Sequence, residues 1–126
     1  MKIVDTHCHY NLEPLYSGKP SHFSLGTDSP LLTMTWQDHW KQAQNHGVIG
    51  SVVVGTTLET SQQAIEISTH HSHLVASLGI HPYFAPEVTV AETEALFTHL
   101  LDSSSEKIVA LGETGLDYFR LSAESP

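Results

Sequence analysis

Basic side chains are scarce in this chain. Five Lys and Arg stand against fourteen Asp and Glu, for a formal charge of −9 with His neutral. That balance argues against nucleic-acid binding by a basic patch. If the substrate carries phosphates, something other than Lys or Arg must neutralise them, and bound divalent cations would do so. Cysteine is rarer still. Cys8 is alone, which excludes an internal disulfide framework and fits a reducing compartment, with the cytoplasm as the expected location. No apolar run approaches the ~20 residues of a membrane span, so no membrane partner is expected. The opening residues Met1-Lys2-Ile3-Val4-Asp5 lack the apolar core of a signal peptide. A length of 126 residues suits one domain, 1–126, and not two.

Histidine, by contrast, is abundant, with ten in the chain. His70, His71 and His73 read as a solvated helix end and loop, with a metal-binding tract as the alternative. The pattern that organises the rest is Asp5-Thr6-His7-Cys8-His9, which follows the apolar pair Ile3-Val4. A strand places residues i and i+2 on one face, so Asp5, His7 and His9 would share a side and Thr6 and Cys8 point away. Two imidazoles so spaced can close on one metal ion. Asp5 could orient a ligand or bind metal itself.

Periodicity and capping signals set out the remaining elements. The first strand is expected over about Lys2–Thr6. Residues 10–33, rich in Pro, Ser and Gly, read as a long loop or lid over the strand end that bears His7 and His9, or as an insertion. A first helix runs from about Trp36 to His46, capped by Thr35, with Trp36, Trp40 and Ala43 on its core stripe and Gly47 as its stop. Ser51–Val54 is a β-branched strand ending at Gly55. Thr56-Thr57-Leu58-Glu59 has capping-box spacing and opens a helix to about His70. Leu74–Leu78 is a third strand, leading into Gly79-Ile80-His81-Pro82. Thr89 to Glu92 repeats the capping box before a third helix with Leu96, Phe97, Leu100 and Leu101 on one face. A fourth strand covers about Lys107–Leu111 and ends in Gly112-Glu113. Strands alternating with helices imply an α/β fold of about four parallel strands with three helices. Val52-Val53-Val54 and Ile108-Val109-Ala110-Leu111 are apolar on both faces, as in a parallel sheet covered by helices.

In such folds functional groups collect at the carboxyl ends of the strands. The first strand delivers His7 and His9, the third His81 and the fourth Glu113. The second ends in Gly55-Thr56-Thr57, which offers little obvious chemistry. Glu113 has two oxygens and can bridge two ions. His81 could donate a hydrogen bond to a phosphate oxygen or simply close a strand. Asp117 could bind metal, orient its loop or cap a helix, and a supporting role is favoured.

Taken together, Asp5-Thr6-His7-Cys8-His9, Gly79-Ile80-His81-Pro82 and Gly112-Glu113-Thr114-Gly115-Leu116-Asp117-Tyr118 resemble the successive signatures of the TatD family of metal-dependent deoxyribonucleases, within the amidohydrolase-like metallo-dependent hydrolases. The resemblance implies a TIM-type (β/α) barrel, here the N-terminal half of one, with two divalent ions (Zn2+, Mg2+ or Mn2+) in a complete site. By position, His7, His9 and Glu113 resemble metal ligands, and Glu113 and His81 catalytic residues, His81 facing the substrate. The implied activity is hydrolysis of DNA phosphodiester bonds by metal-bound hydroxide. The family often reads Gly-Ile-His-Pro-His where this chain has Tyr83. Its further His and Asp ligands come from later strands, and nothing after Arg120 can be matched to them. The alternatives are a catalytically incomplete metal-binding fragment, or a hydrolase on the same scaffold acting on an amide, ester or lactone. Open strand edges would invite a homo-oligomer or a complementary C-terminal half.

Overall fold

The computed structural model describes residues 1–20, 34–104 and 106–118. Residues 21–33 of the expected lid, Arg120 and the residues after it, and the side chain of Leu96 lie outside the described residues. The order is β1 (Ile3–Cys8), α1 (Trp36–Asn45), β2 (Val48–Val54), α2 (Leu58–Thr69), β3 (Leu74–Leu78), a short 3-10 turn (Ala85–Glu87), α3 (Val90–Ser104) and β4 (Ile108–Leu111). The strands form one parallel sheet in the order β1-β2-β3-β4. Each strand therefore lies beside its sequence neighbour, with a helix in every crossover.

The helices start and stop where local chemistry dictates. Thr35 caps α1 through a reciprocal pair with Asp38, and the chain leaves that helix through Gly47, at φ +95°. The box at α2 sits one residue later than its Thr-Thr sequence suggested: Thr57 is the cap and Thr60, not Glu59, closes it. Either threonine could have served, and the hydroxyl of Thr60 reaches the amides of both Thr56 (2.9 Å) and Thr57 (2.8 Å). Thr89 and Glu92 cap α3 as the sequence indicates.

The core lies on one face of the sheet. Val53, Leu74, Ala76 and Leu78 are sealed beneath Trp36, Trp40, Ala64, Ile65, Ile67 and Leu100. At ~25 cal/mol per Å2, this apolar burial is the main force holding helices to strands. Phe97 packs against the cluster, whereas Leu101 is 40% exposed. Among the described residues no helix covers the opposite face, as the barrel implied by the resemblance requires of its inner side. Thr6, Val52, Val54, Ser77, Val109 and Leu111 line a hollow of about 360 Å3 there. A strand whose second face looks into a barrel is as apolar as one between two helix layers, so the pattern cannot separate them. Among the described residues β1 and β4 are the sheet's two edges, and Val4, Val109 and Leu111 on them stay more than half exposed.

Residues 10–20 of the predicted loop pack down. Tyr10 joins the core between Trp36 and Trp40, and the Tyr16 hydroxyl donates to Glu66 (2.9 Å). Asn11 is 1% exposed. Its amide nitrogen donates to the carbonyls of Val54 (3.0 Å) and Thr60 (2.8 Å), pinning this segment to β2 and α2.

Two consequences are measurable. Asn11→Ala removes both bonds from a buried position and should lower unfolding free energy by about 1–3 kcal/mol in urea titrations. Hydrogen bonds from the Thr35 backbone and hydroxyl hold the Asp38 carboxyl below its ordinary value of 3.8, and the Thr89 hydroxyl and amide do the same for Glu92 below 4.5. Depressed carboxyls stabilise the fold above their unfolded values and lose that contribution as pH falls through the folded ones. The Asp38→Asn, Glu92→Gln double variant should therefore show a shallower loss of stability than the parent from about pH 5 to about pH 3.

Candidate metal centre

His7 lies near the end of β1 and His9 just beyond it. The pairing of β1 with β2 slips between Asp5 and Cys8, so simple alternation does not carry through the motif. Asp5 does not join the histidines. Its carboxylate turns back to accept the His7 amide (3.1 Å) and so shapes the backbone beneath the ring. Cys8 points away, as alternation predicted, and its thiol donates to the Val52 carbonyl (3.2 Å). Burial, and secondarily the charge of Asp5, pushes that thiol up to about 12. Facing β2, it stands outside the donor group that the imidazoles form.

The two imidazoles meet at their Nε2 atoms, 3.1 Å apart, with the rings edge to face. His9 Nδ1 lies 3.3 Å from the Val54 carbonyl. A carbonyl only accepts, so Nδ1 carries the proton and Nε2 presents a lone pair. Two nitrogens ~2.0–2.1 Å from one zinc-like ion at octahedral to tetrahedral angles lie roughly 2.9–3.4 Å apart. The observed spacing falls inside that window. Glu113 completes the group, with Oε2 3.6 Å from His7 Nε2. One donor atom from each of His7, His9 and Glu113 lies within 4.8 Å of the others, and no other such group occurs among the described residues. Two imidazoles and a carboxylate make a donor set suited to Zn2+, Mn2+ or a similar divalent ion. His70, His71, His73 and Asp117 form no such cluster; the His71 ring packs edge-on against Trp36 instead.

His81 arrives from the end of β3. Its Nδ1 accepts the amide N–H of Tyr83 (3.1 Å). Nδ1 is therefore unprotonated and Nε2 bears the hydrogen, which makes His81 a donor rather than a lone-pair ligand. That Nε2 stands 3.7 Å from Glu113 Oε1, beyond hydrogen-bond length. The N–H is thus not committed to the carboxylate. His7, His9, His81, Glu113, Phe84 and Thr57 all border one cavity of about 400 Å3.

The sequence reading passed over the groups that hold these side chains in place. Three consecutive carbonyls at the end of β2 do most of it. Val54 accepts from His9 and Asn11, Gly55 from the Glu113 amide (3.2 Å), and Thr56 from the His81 amide (2.8 Å). The Gly112 amide also bonds the Leu78 carbonyl (2.6 Å). Gly79 makes the approach of β4 feasible: a Cβ there would strike the backbone of Gly112 and Glu113. The signal available was the glycine closing β2 and β3, Gly55 and Gly79. Main-chain acceptors themselves leave no mark on residue type.

Known proteins resemble this chain in sequence and in fold. Residues 4–126 match the family described as TatD related DNase. A "3'-5' ssDNA/RNA exonuclease TatD" of Escherichia fergusonii is 35% identical over 74 residues, covering 59% of this chain and 27% of that protein. An "uncharacterized metal-dependent hydrolase" of Mycoplasma pneumoniae is 31% identical over 121 residues, 94% of this chain and 39% of its own length. An uncharacterized amidohydrolase from Saccharomyces cerevisiae superposes with a TM-score of 0.63 at 21% identity, over 95% of this chain and 38% of that one. That likeness identifies the four strands and three helices as part of a TIM-type barrel. This chain spans between about a quarter and two fifths of the length of these relatives. With the family match running over residues 4–126 and through all three motif blocks, the chain belongs to the TatD related DNase family.

Proposed function

We propose that this chain supplies the His-His-Glu part of a metal-dependent phosphodiesterase that acts on DNA, in the cytoplasm. The observation that carries the reading is the meeting of His7, His9 and Glu113 at the mouth of a cavity, with His81 beside them. The exonuclease activity for which the Escherichia relative is named supports a nucleic-acid substrate. The acidic composition is compatible, because cations rather than Lys or Arg would meet the phosphates.

In this reading His7, His9 and Glu113 would hold divalent metal through their imidazole nitrogens and carboxylate. Ions so held would polarise a phosphodiester oxygen and lower the pKa of water. The rest falls to the protein's own groups. Val54 fixes the tautomer of His9. Asp5 fixes the main chain under His7. His81 donates its Nε2–H to a non-bridging phosphate oxygen, stabilising charge as it builds there.

A second reading has its own support. The cluster contains one carboxylate and two imidazoles, and among the described residues β1 and β4 are the open edges of the sheet. In that reading the chain binds metal, while hydrolysis waits on a complementary half or a second copy that closes the sheet.

Calorimetric titration with Mn2+ and Zn2+, beside nuclease assays on single-stranded DNA with and without EDTA, tests both. His9→Ala and Glu113→Ala should each weaken metal binding by more than the ~10–100-fold cost of losing a supporting residue, and abolish chelator-sensitive hydrolysis. Hydrolysis that persists in either variant overturns the first reading. Tight metal binding without hydrolysis by the chain alone selects the second.

His81→Ala should lower kcat/KM at least ~10-fold, by the loss of one transition-state donor, with metal affinity held within about twofold. His81→Gln, which keeps an N–H, should recover part of the loss. A matching fall in metal affinity would make His81 a ligand instead.

A further inference from the structure

The turn that delivers His81 carries two aromatic rings that the metal chemistry does not use. It is a stiff turn. Pro82 fixes the backbone after His81, the Phe84 amide donates to the His81 carbonyl (2.8 Å), and the chain runs on into the 3-10 turn Ala85–Glu87. The Tyr83 amide is bound to the His81 ring itself, so the position of Tyr83 is tied to that of His81. Phe84 borders the cavity, with its ring 6.3 Å from the His81 ring. Tyr83 packs against it at 5.1 Å and 83°, yet remains 52% exposed. Phe84, which borders the cavity, thus backs the exposed ring of Tyr83, a residue outside the cavity lining that is tied through its amide to the proposed phosphate donor.

The cavity's composition says what such a ring could bind. Among the described residues no Lys or Arg borders it. The proposed ions would hold the phosphate, and they offer nothing to the rest of a nucleotide. A nucleobase is flat, apolar on its faces and largely uncharged, and an exposed aromatic ring is its natural counterpart.

We propose that Tyr83, backed by Phe84, is a stacking platform for an unpaired nucleobase next to the phosphate contacted by His81, an assignment that rests on the phosphodiesterase reading. Stacking requires a base free of its pairing partner, so the platform selects single strands. Every base presents a π-face, so it does so with little regard to sequence.

The test uses the 126-residue chain loaded with Mn2+ and fluorescence anisotropy on two labelled strands: an eight-residue oligothymidylate, and a strand of the same length and charge built from abasic sites. The parent should bind the thymidylate roughly 5- to 150-fold more tightly than the abasic strand, the range expected for one stacked base. Tyr83→Ala should bring the two affinities within about twofold by weakening the thymidylate alone, with Mn2+ affinity unchanged. Tyr83→Phe should keep the preference. Equal binding of both strands by the parent, an undiminished preference in Tyr83→Ala, or its loss in Tyr83→Phe overturns the platform and leaves the phosphodiesterase reading standing. Binding of neither strand by the Mn2+-loaded parent sinks that reading, and the platform with it.

Discussion

Three successive carbonyls at the end of β2 hold the candidate centre in register. Val54, Gly55 and Thr56 receive, in turn, the ring of His9, the amide of Glu113 and the amide of His81. His9, Glu113 and His81 come from the ends of three different strands, and none is anchored by its own strand alone. β2 lies between β1 and β3 and its tip is within reach of both neighbours' loops. Glu113 comes from one strand further away, and its reach to Gly55 depends on Gly79 letting the β4 loop cross the end of β3.

Much of this was legible in the residues, and the limits have physical causes. The span Leu74–Leu78 matched the observed strand because all its signals agree: a short apolar run bounded by a polar turn and a glycine. β1 runs to Cys8 and β2 begins at Val48, both longer than read. Pairing between them recruits Cys8 and Gly50 into the ladder, although Gly50 does not favour a strand by itself. The apolar strands could not by themselves say what lies over their second face, because a barrel interior and a helix-covered face demand the same residues. The placement of His7, His9, His81 and Glu113 followed from one topological rule about strand ends. Their support did not, since Gly55 and Thr56 act through peptide carbonyls that any residue would have offered.

The two histidine tautomers follow from neighbours of opposite kind. An acceptor beside His9 Nδ1 turns its far nitrogen into a lone pair, and a donor beside His81 Nδ1 turns its far nitrogen into an N–H. Identical side chains some seventy positions apart thereby receive complementary tasks. Spacing in the sequence could nominate both imidazoles, but only the main-chain partner distinguishes the one able to bind a cation from the one able to bind an anion's oxygen.

The missing side chain at Gly79 has a mechanical corollary. With the β4 loop lying directly on β3, and both fastened to the tip of β2, the acid and the imidazole donor sit on one rigid body rather than on separate flaps. Separating them means breaking peptide-to-peptide bonds at the heart of the sheet. The centre is therefore built to assemble or come apart in one step, with its members arriving together when the strands close.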